Sequence, residues 1–148
     1  MSLSVEESLA ATPFFAGLEP RVLELLASRA REARFAAEQQ IFRRGEEAAT
    51  FYLIRHGAVA LEAFVPTRHS FLIETLEDGE VLGWSWLFPP HRWHFDARAL
   101  APVTALAFDA PHVRRLCEED AEVGRELMRR FAQVVIERLQ WLRLRLID

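Results

Sequence analysis

Three of the chain's four tryptophans, Trp84, Trp86 and Trp93, fall within ten residues, and Ser85, His91, Arg92, His94 and Asp96 are interleaved with them. An indole combines a large apolar ring with one N–H that needs an acceptor, so rings gathered this closely line either a buried junction or a ligand wall. Within the cluster, Ser85 and Arg92 have the groups that hold an anion, a hydroxyl and a guanidinium. The competing reading makes one a local cap and the other a solvent-facing side chain. His91, His94 and Asp96 have metal-ligand chemistry, but their spacing matches no specific ligand set, no cysteine is near, and a strand would splay them apart. They are read as hydrogen-bonded loop residues, and no metal is expected. His56, in a turn before Gly57, and His69, at a strand edge, have no partner evident in the sequence.

Catalysis has no comparable footing. The chain lacks a Gly-x-Ser-x-Gly elbow, a glycine-rich phosphate loop and a His-Glu-x-x-His pair. Cys117, the single cysteine, has neither a second thiol nor a paired base and is read as an ordinary packed thiol. The acidic run Glu118-Glu119-Asp120 suits a solvated helix start beside the positive end of the helix dipole. No enzyme is expected.

At 148 residues, with 51% hydrophobic residues, the chain suits one compact domain over 1–148. It has no apolar run of 18 residues and an acidic N-terminus, so it is expected to be soluble and cytoplasmic, with no membrane partner. A net charge of −4 lacks the basic footprint that phosphate neutralisation needs, and no DNA is expected to bind this chain alone. Arg125, Arg129, Arg130, Arg138, Arg143 and Arg145 crowd the last segment, where cations complement a helix C-terminus and their stems cover apolar surface.

The elements that must position the cluster follow from local signals. Ser4-Val5-Glu6-Glu7 has capping-box spacing and opens a short helix that Pro13 ends. A second helix is predicted from Glu19 to about Ala30, with Val22, Leu23, Leu25 and Leu26 buried. Short β-rich runs then span 32–109: Ala33–Ala37, Gln40–Arg43, Phe51–Arg55, Ala58–Phe64, His69–Glu74, Phe95–Leu100 and Val103–Asp109. Breaks fall at Gly45, Gly57, Pro66, Gly79 and Pro102, the pattern of an antiparallel sandwich or barrel. Asp109 followed by Pro111 predicts a capped helix to Cys117, and Glu119 to Ile147 reads as one long helix. In that helix Leu127, Phe131, Val134, Val135, Leu139, Leu142 and Leu146 recur at steps of three and four, widened by Met128, Ile136 and Trp141. A stripe so broad needs two burial partners, the chain's own β unit and a second copy of itself, so a homodimer is expected.

Order of elements and turn residues together resemble the cyclic-nucleotide-binding domain of the Crp/Fnr family. Pro13-Phe14-Phe15-Ala16-Gly17-Leu18 is similar to the family's opening turn. Ile41-Phe42-Arg43-Arg44-Gly45-Glu46, followed by Phe51-Tyr52-Leu53-Ile54-Arg55-His56-Gly57-Ala58-Val59, is similar to its central signature. The resemblance spans essentially the whole chain. It implies a mainly β fold: an antiparallel jelly roll over 32–109, N-terminal helices over 1–31, and C-terminal helices over 110–148 ending in a long dimerisation helix. It also implies that residues 79–99 form the phosphate-binding cassette, in which helix amides face an anion.

The cassette departs from the family pattern. The family's Gly-Glu pair falls on Gly83-Trp84, so an indole replaces the carboxylate that holds the ribose. The phosphate-binding arginine, five residues before Arg98-Ala99, falls on Trp93, and His94 takes a position where the family often has serine or threonine. Matching Glu137-Arg138-Leu139-Gln140 to the dimer helix puts Leu142 and Arg143 where hydroxyls would meet the base. Losing a guanidinium and a carboxylate together is expected to weaken cyclic-nucleotide binding about a hundredfold or worse.

The expected ligand-facing residues are therefore Gly83, Trp84, Ser85, Trp86, Arg92, Trp93 and His94, with the three indoles as an aromatic wall. The chain is read as a dimeric sensory or regulatory module that needs no cofactor and takes a non-standard small ligand or an effector protein, a cyclic nucleotide being the less favoured occupant. Two alternatives stay open: a structural dimerisation subunit with a closed pocket, and a true cAMP-binding domain using Arg92. The chain ends at Asp148, and no helix-turn-helix is expected after the last helix.

Overall fold

The computed structural model describes residues 4–65 and 69–147, with side chains described for all of these except 65, 69–70, 141–142 and 144–147. Among the expected features, the turn at Pro66 and the side chain of His69 lie outside the described set. Helix α1 (Val5–Ala10) begins at Ser4, whose Oγ accepts from the Glu7 N–H at 3.1 Å. That bond satisfies one of the orphan amides of the first turn, as the capping spacing predicts. Pro13 opens a 3₁₀ turn, Pro13–Phe15, and α2 covers Pro20–Ala27. α2 is shorter than its apolar pattern suggests because Ala30 already pairs with Phe108 at the start of β1 (Ala30–Phe35). Sheet pairing there overrides helix propensity.

The remaining strands are β2 (Gln40–Phe42), β3 (Thr50–His56), β4 (Val59–Val65), β5 (His69–Leu76), β6 (Val81–Leu82), β7 (Asp96–Ala99) and β8 (Val103–Asp109). They form two four-stranded sheets ordered β1-β8-β3-β6 and β2-β7-β4-β5, with every ladder antiparallel. One core draws on both sheets, with Phe51, Ile54, Leu106 and Phe108 from the first and Val59, Leu61, Ala97 and Ala99 from the second. Mainly antiparallel sheets with flanking helices are what the turn spacing predicted, although β6 is too short to show an alternation of its own.

Asp109 caps α3 (Ala110–Glu119) by accepting from the His112 N–H at 3.0 Å, and the helix runs two residues past the expected stop at Cys117. Asp120 then caps α4 (Ala121–Ile147), its Oδ1 accepting from the amides of Glu122 and Val123 at 3.2 and 3.3 Å. The two helices approach so closely that a Cβ on Gly124 would lie 2.7 Å from the Cys117 carbonyl oxygen, which glycine alone avoids. On α4, Val123, Leu127 and Phe131 are fully buried within the chain's own fold. Leu127 and Phe131 therefore do not face a partner: Phe131 meets Phe14, Phe51 and Trp86 edge-on at 4.9, 5.6 and 5.3 Å. Val134 and Val135 are half-buried, whereas Leu139 is 65% exposed. The side chains of Leu142 and Leu146 lie outside the described set. Among the described residues no helix is long and apolar enough to cross a membrane.

Candidate functional site

The cassette is turned at its glycines and filled in its middle. Gly79 and Gly83, at φ +85° and +101°, turn the chain into and out of β6, and a 3₁₀ turn follows at Ser85–Leu87. From His91 to Trp93 the return segment is zipped onto the loop at 45–48. The Trp93 N–H donates to the Glu46 carbonyl at 3.0 Å, the Gly45 N–H donates to the Trp93 carbonyl at 2.9 Å, and the Ala48 N–H donates to the His91 carbonyl at 2.7 Å. The Gly45-Glu46 pair of the sequence signature is thus the backbone partner of the segment that carries Trp93.

Trp93 fills the space that this frame encloses. It is 6% exposed and stacks on Phe42, ring centroids 3.8 Å apart and planes within 9°. Its far edge lies over Gly83 so closely that a Cβ there would be 2.6 Å from Cη2. Only about 10 Å³ remains beside the ring, bounded by Leu61, Phe95, Ser85, His94 and Arg138. Small-molecule sites run to hundreds of cubic ångströms, so the recess has no room for a ligand in this conformation.

The other predicted site residues divide. Trp84 is half-buried and stacks on His94 at 4.8 Å, while the Ser85 Oγ and His94 Nδ1 are hydrogen-bonded at 2.7 Å. Gly83, Trp84, Ser85, Trp93 and His94 therefore come together around the residual cavity. Trp86 does not join them. It is fully buried, stacks on Phe51 at 4.3 Å, and gives its carbonyl to the Arg114 Nη1 at 2.6 Å. At three residues per turn, positions two apart on a 3₁₀ turn point in different directions, which separates Trp86 from Trp84. The buried Trp86 Nε1 meets no acceptor among the described residues. Arg92 is exposed, and its Nη1 donates to the Gly45 carbonyl at 2.9 Å rather than reaching inward.

His94 precedes β7 instead of lying on it. Asp96 accepts from the Arg44 N–H at 2.7 Å, apart from His94, and among the described residues no three potential metal ligands converge. The Cys117 thiol is half-buried, and burial together with the neighbouring Glu118 charge pushes its pKa up to about 11.

Arg138 is the residue that sequence reasoning placed on the dimer helix but not at the site. It reaches under the cassette from α4, with 8% of its side chain exposed; its Nε donates to Glu74 Oε2 at 2.9 Å and its Nη2 to the Val81 carbonyl at 3.2 Å. Burial lowers its proton affinity, and the Glu74 carboxylate opposes that shift. A guanidinium seven residues after Phe131 and four after Val134, on a core-facing helix stripe, was the available signal: a charge rarely sits there without a partner.

With this geometry in place, the comparisons with known proteins are direct. The profile of the family described as "Cyclic nucleotide-binding domain" matches residues 32–120, more than half of the chain. A curated relative, the CRP-like cAMP-activated global transcriptional regulator of Mycobacterium tuberculosis, is 23% identical over 129 residues, covering 87% of this chain and 58% of its own length. The chain thus spans less than two thirds of that relative. Among solved structures, a protein from Geobacter metallireducens GS-15 described as cyclic nucleotide-binding superposes with a TM-score of 0.82 at 27% identity, covering 93% of this chain and 99% of the other. The regulatory domain of Toxoplasma gondii PKA, crystallised with cAMP, superposes with a TM-score of 0.74 at 17% identity over 87% of this chain and 49% of its own, a likeness of fold.

Proposed function

Because this chain belongs to the cyclic nucleotide-binding domain family, we propose that it is a non-catalytic, dimeric regulatory module of the cytoplasm whose cassette is occupied by its own indole. The observation that carries this reading is Trp93, stacked on Phe42 and pressed against Gly83, with about 10 Å³ left beside it. For a nucleotide to enter, that ring must leave its buried place, at a cost of about 3–5 kcal/mol by analogy with removing a buried aromatic side chain. This lowers affinity by roughly two to four powers of ten before any contact is counted.

The cations nearby offset little of that cost. Arg138 is paired with Glu74, and Arg92 is turned to the Gly45 carbonyl, so the reading in which Arg92 replaces the usual phosphate ligand has no support in this geometry. Signals reach or leave such a module through a ligand of another kind or through a protein partner. Calorimetric titration with cAMP and cGMP is the test: dissociation constants well above the low micromolar range are expected, and a tighter value overturns the reading.

One observation also favours a purely structural subunit, namely how nearly complete the filling is. A thermal-shift panel separates the two readings. A ligand of the native state raises the melting temperature by mass action, and a subunit with no ligand shows no such shift.

A further inference from the structure

A second and larger recess, of about 370 Å³, lies on the other side of Arg138, between α4 and a rim built from the Pro13–Phe15 turn, the end of β5 and residues 79–81. This volume falls within the range of small-molecule sites. Its α4 wall is Arg130, Gln133, Val134, Glu137 and Arg138, positions at i, i+3, i+4, i+7 and i+8 that share one helix face. Phe14, Leu76 and Val81 give the opposite wall an apolar middle.

The polar groups of this recess are incompletely matched. Arg138 is neutralised by Glu74 at 2.9 Å. Arg130 donates through Nη1 to the Phe14 carbonyl at 2.8 Å and places Nη2 at 3.5 Å from Glu126, and its buried Nε meets no acceptor among the described residues. At the other end, Glu80 and Glu137 form no ion pair among the described residues. Among the described residues Glu80 accepts the Glu77 N–H at 2.6 Å, and Glu137 the Gln133 amide at 3.4 Å. Burial, with Glu74 and Glu77 close by, raises the proton affinity of Glu80 although the Glu77 amide and the Arg138 charge oppose the shift, and a further cation would relieve it. Arg130 and Glu137 are seven residues apart, about 10 Å along the helix axis.

We propose that this recess binds a linear zwitterion with an apolar body. Its ammonium sits between Glu80 and Glu137, its stem lies on Leu76, Val81 and Val134, and its carboxylate faces the accessible edge of the Arg130 guanidinium. The matching chemical class is an ω-amino acid, or a peptide of about three residues with free ends, since an extended chain advances about 3.5 Å per residue. Such a site stands whatever the cassette holds. It also lies on a different face of α4 from the exposed Met128, Ile136 and Leu139, so pairing through those residues leaves it open.

The test titrates the full chain calorimetrically with 8-aminooctanoate, with octylamine and octanoate as single-charge controls and Ala-Leu-Ala as the peptide arm. The zwitterion is expected to bind at least about tenfold tighter than either control, and comparison of the two zwitterions tells amino acid from peptide. Val134→Trp, which fills the recess, and the isosteric pair Glu80→Gln/Glu137→Gln should each weaken binding at least about tenfold with an unchanged melting temperature. Absence of binding by both zwitterions at millimolar concentration overturns the proposal. So does octylamine binding as tightly as 8-aminooctanoate, or undiminished binding by the double variant. The cyclic-nucleotide titration reports separately on the cassette, so either reading can fail alone.

Discussion

A methyl group at position 83 has nowhere to go. Glycine holds φ at +101° there, and a Cβ would press on the Trp93 ring at 2.6 Å, so Gly83→Ala combines backbone strain with overpacking. Each contributes about 1–3 kcal/mol, and the variant is expected to lose about 2–6 kcal/mol in urea denaturation. Trp93→Ala alone should lose about 3–5 kcal/mol through the cavity it leaves. Combined, the two should lose less than the sum by about 1–3 kcal/mol, because removing the ring removes the clash; strict additivity would show that the two residues do not share one space. Cys117 gives a second reading at this scale. With its thiol held near pKa 11, little thiolate exists at neutral pH, and native protein should react with a disulfide reagent far more slowly than urea-unfolded protein. The density of tryptophans was legible in the sequence as a ligand wall or a buried junction, and Trp86 and Trp93 are packed as a junction. Which ring goes where was not, since the 3₁₀ turn at Ser85–Leu87 directs Trp86 into the core while Trp84 remains beside His94.

Between elements, two charged contacts hold helices to their neighbours. Arg138 ties α4 to β5 and β6 through Glu74 and the Val81 carbonyl. Arg138→Met keeps the stem but strands the carboxylate, and about 2–4 kcal/mol of destabilisation is expected, below the usual cost of breaking a fully buried pair because Glu74 retains some solvent. Arg21, on α2, bonds to Asp120 and, at 2.8 Å, to Glu122 at the start of α4. The Arg21 hydrogen bond holds the Asp120 carboxyl below its ordinary value. A carboxyl depressed in the folded state contributes stability that is present above the unfolded pKa, about 3.9, and is lost as pH falls through the lower folded value. Urea melts of wild type and Arg21→Gln should therefore differ by a constant amount between about pH 5 and 7 and begin to converge below about pH 4, as the Asp120 carboxyl protonates. Equal separation at pH 3 would mean that Asp120 does not titrate through this contact. Strand positions were legible from alternation and glycine breaks, to within a few residues. β6 was not, because two residues carry no period, and its place was set by pairing of Val81 and Leu82 with Leu53 and Tyr52.

For the whole molecule, the question is what covers the outer face of α4. The apolar stripe that looked continuous in the sequence is divided by the helix geometry of 100° per residue. Leu127 and Phe131 point into the chain's own core, while Met128, Ile136 and Leu139, at 44%, 48% and 65% exposed, lie roughly on the opposite side. The sequence pattern could not assign these positions to inside or outside, because both sets recur at steps of three and four. Three large apolar side chains in a row along an exposed helix face suit burial against the same face of a second copy, with the two-fold symmetry usual for such pairs. Sedimentation at micromolar concentration is expected to give a dimer for wild type and a folded monomer for Leu139→Glu, while the melting temperature of wild type rises with protein concentration, as binding to the native state requires. Leu127→Glu should behave differently, unfolding the chain rather than separating copies, since it puts a charge among fully buried residues. A wild-type monomer, or a Leu139→Glu variant that remains dimeric, would move the interface elsewhere on the molecule.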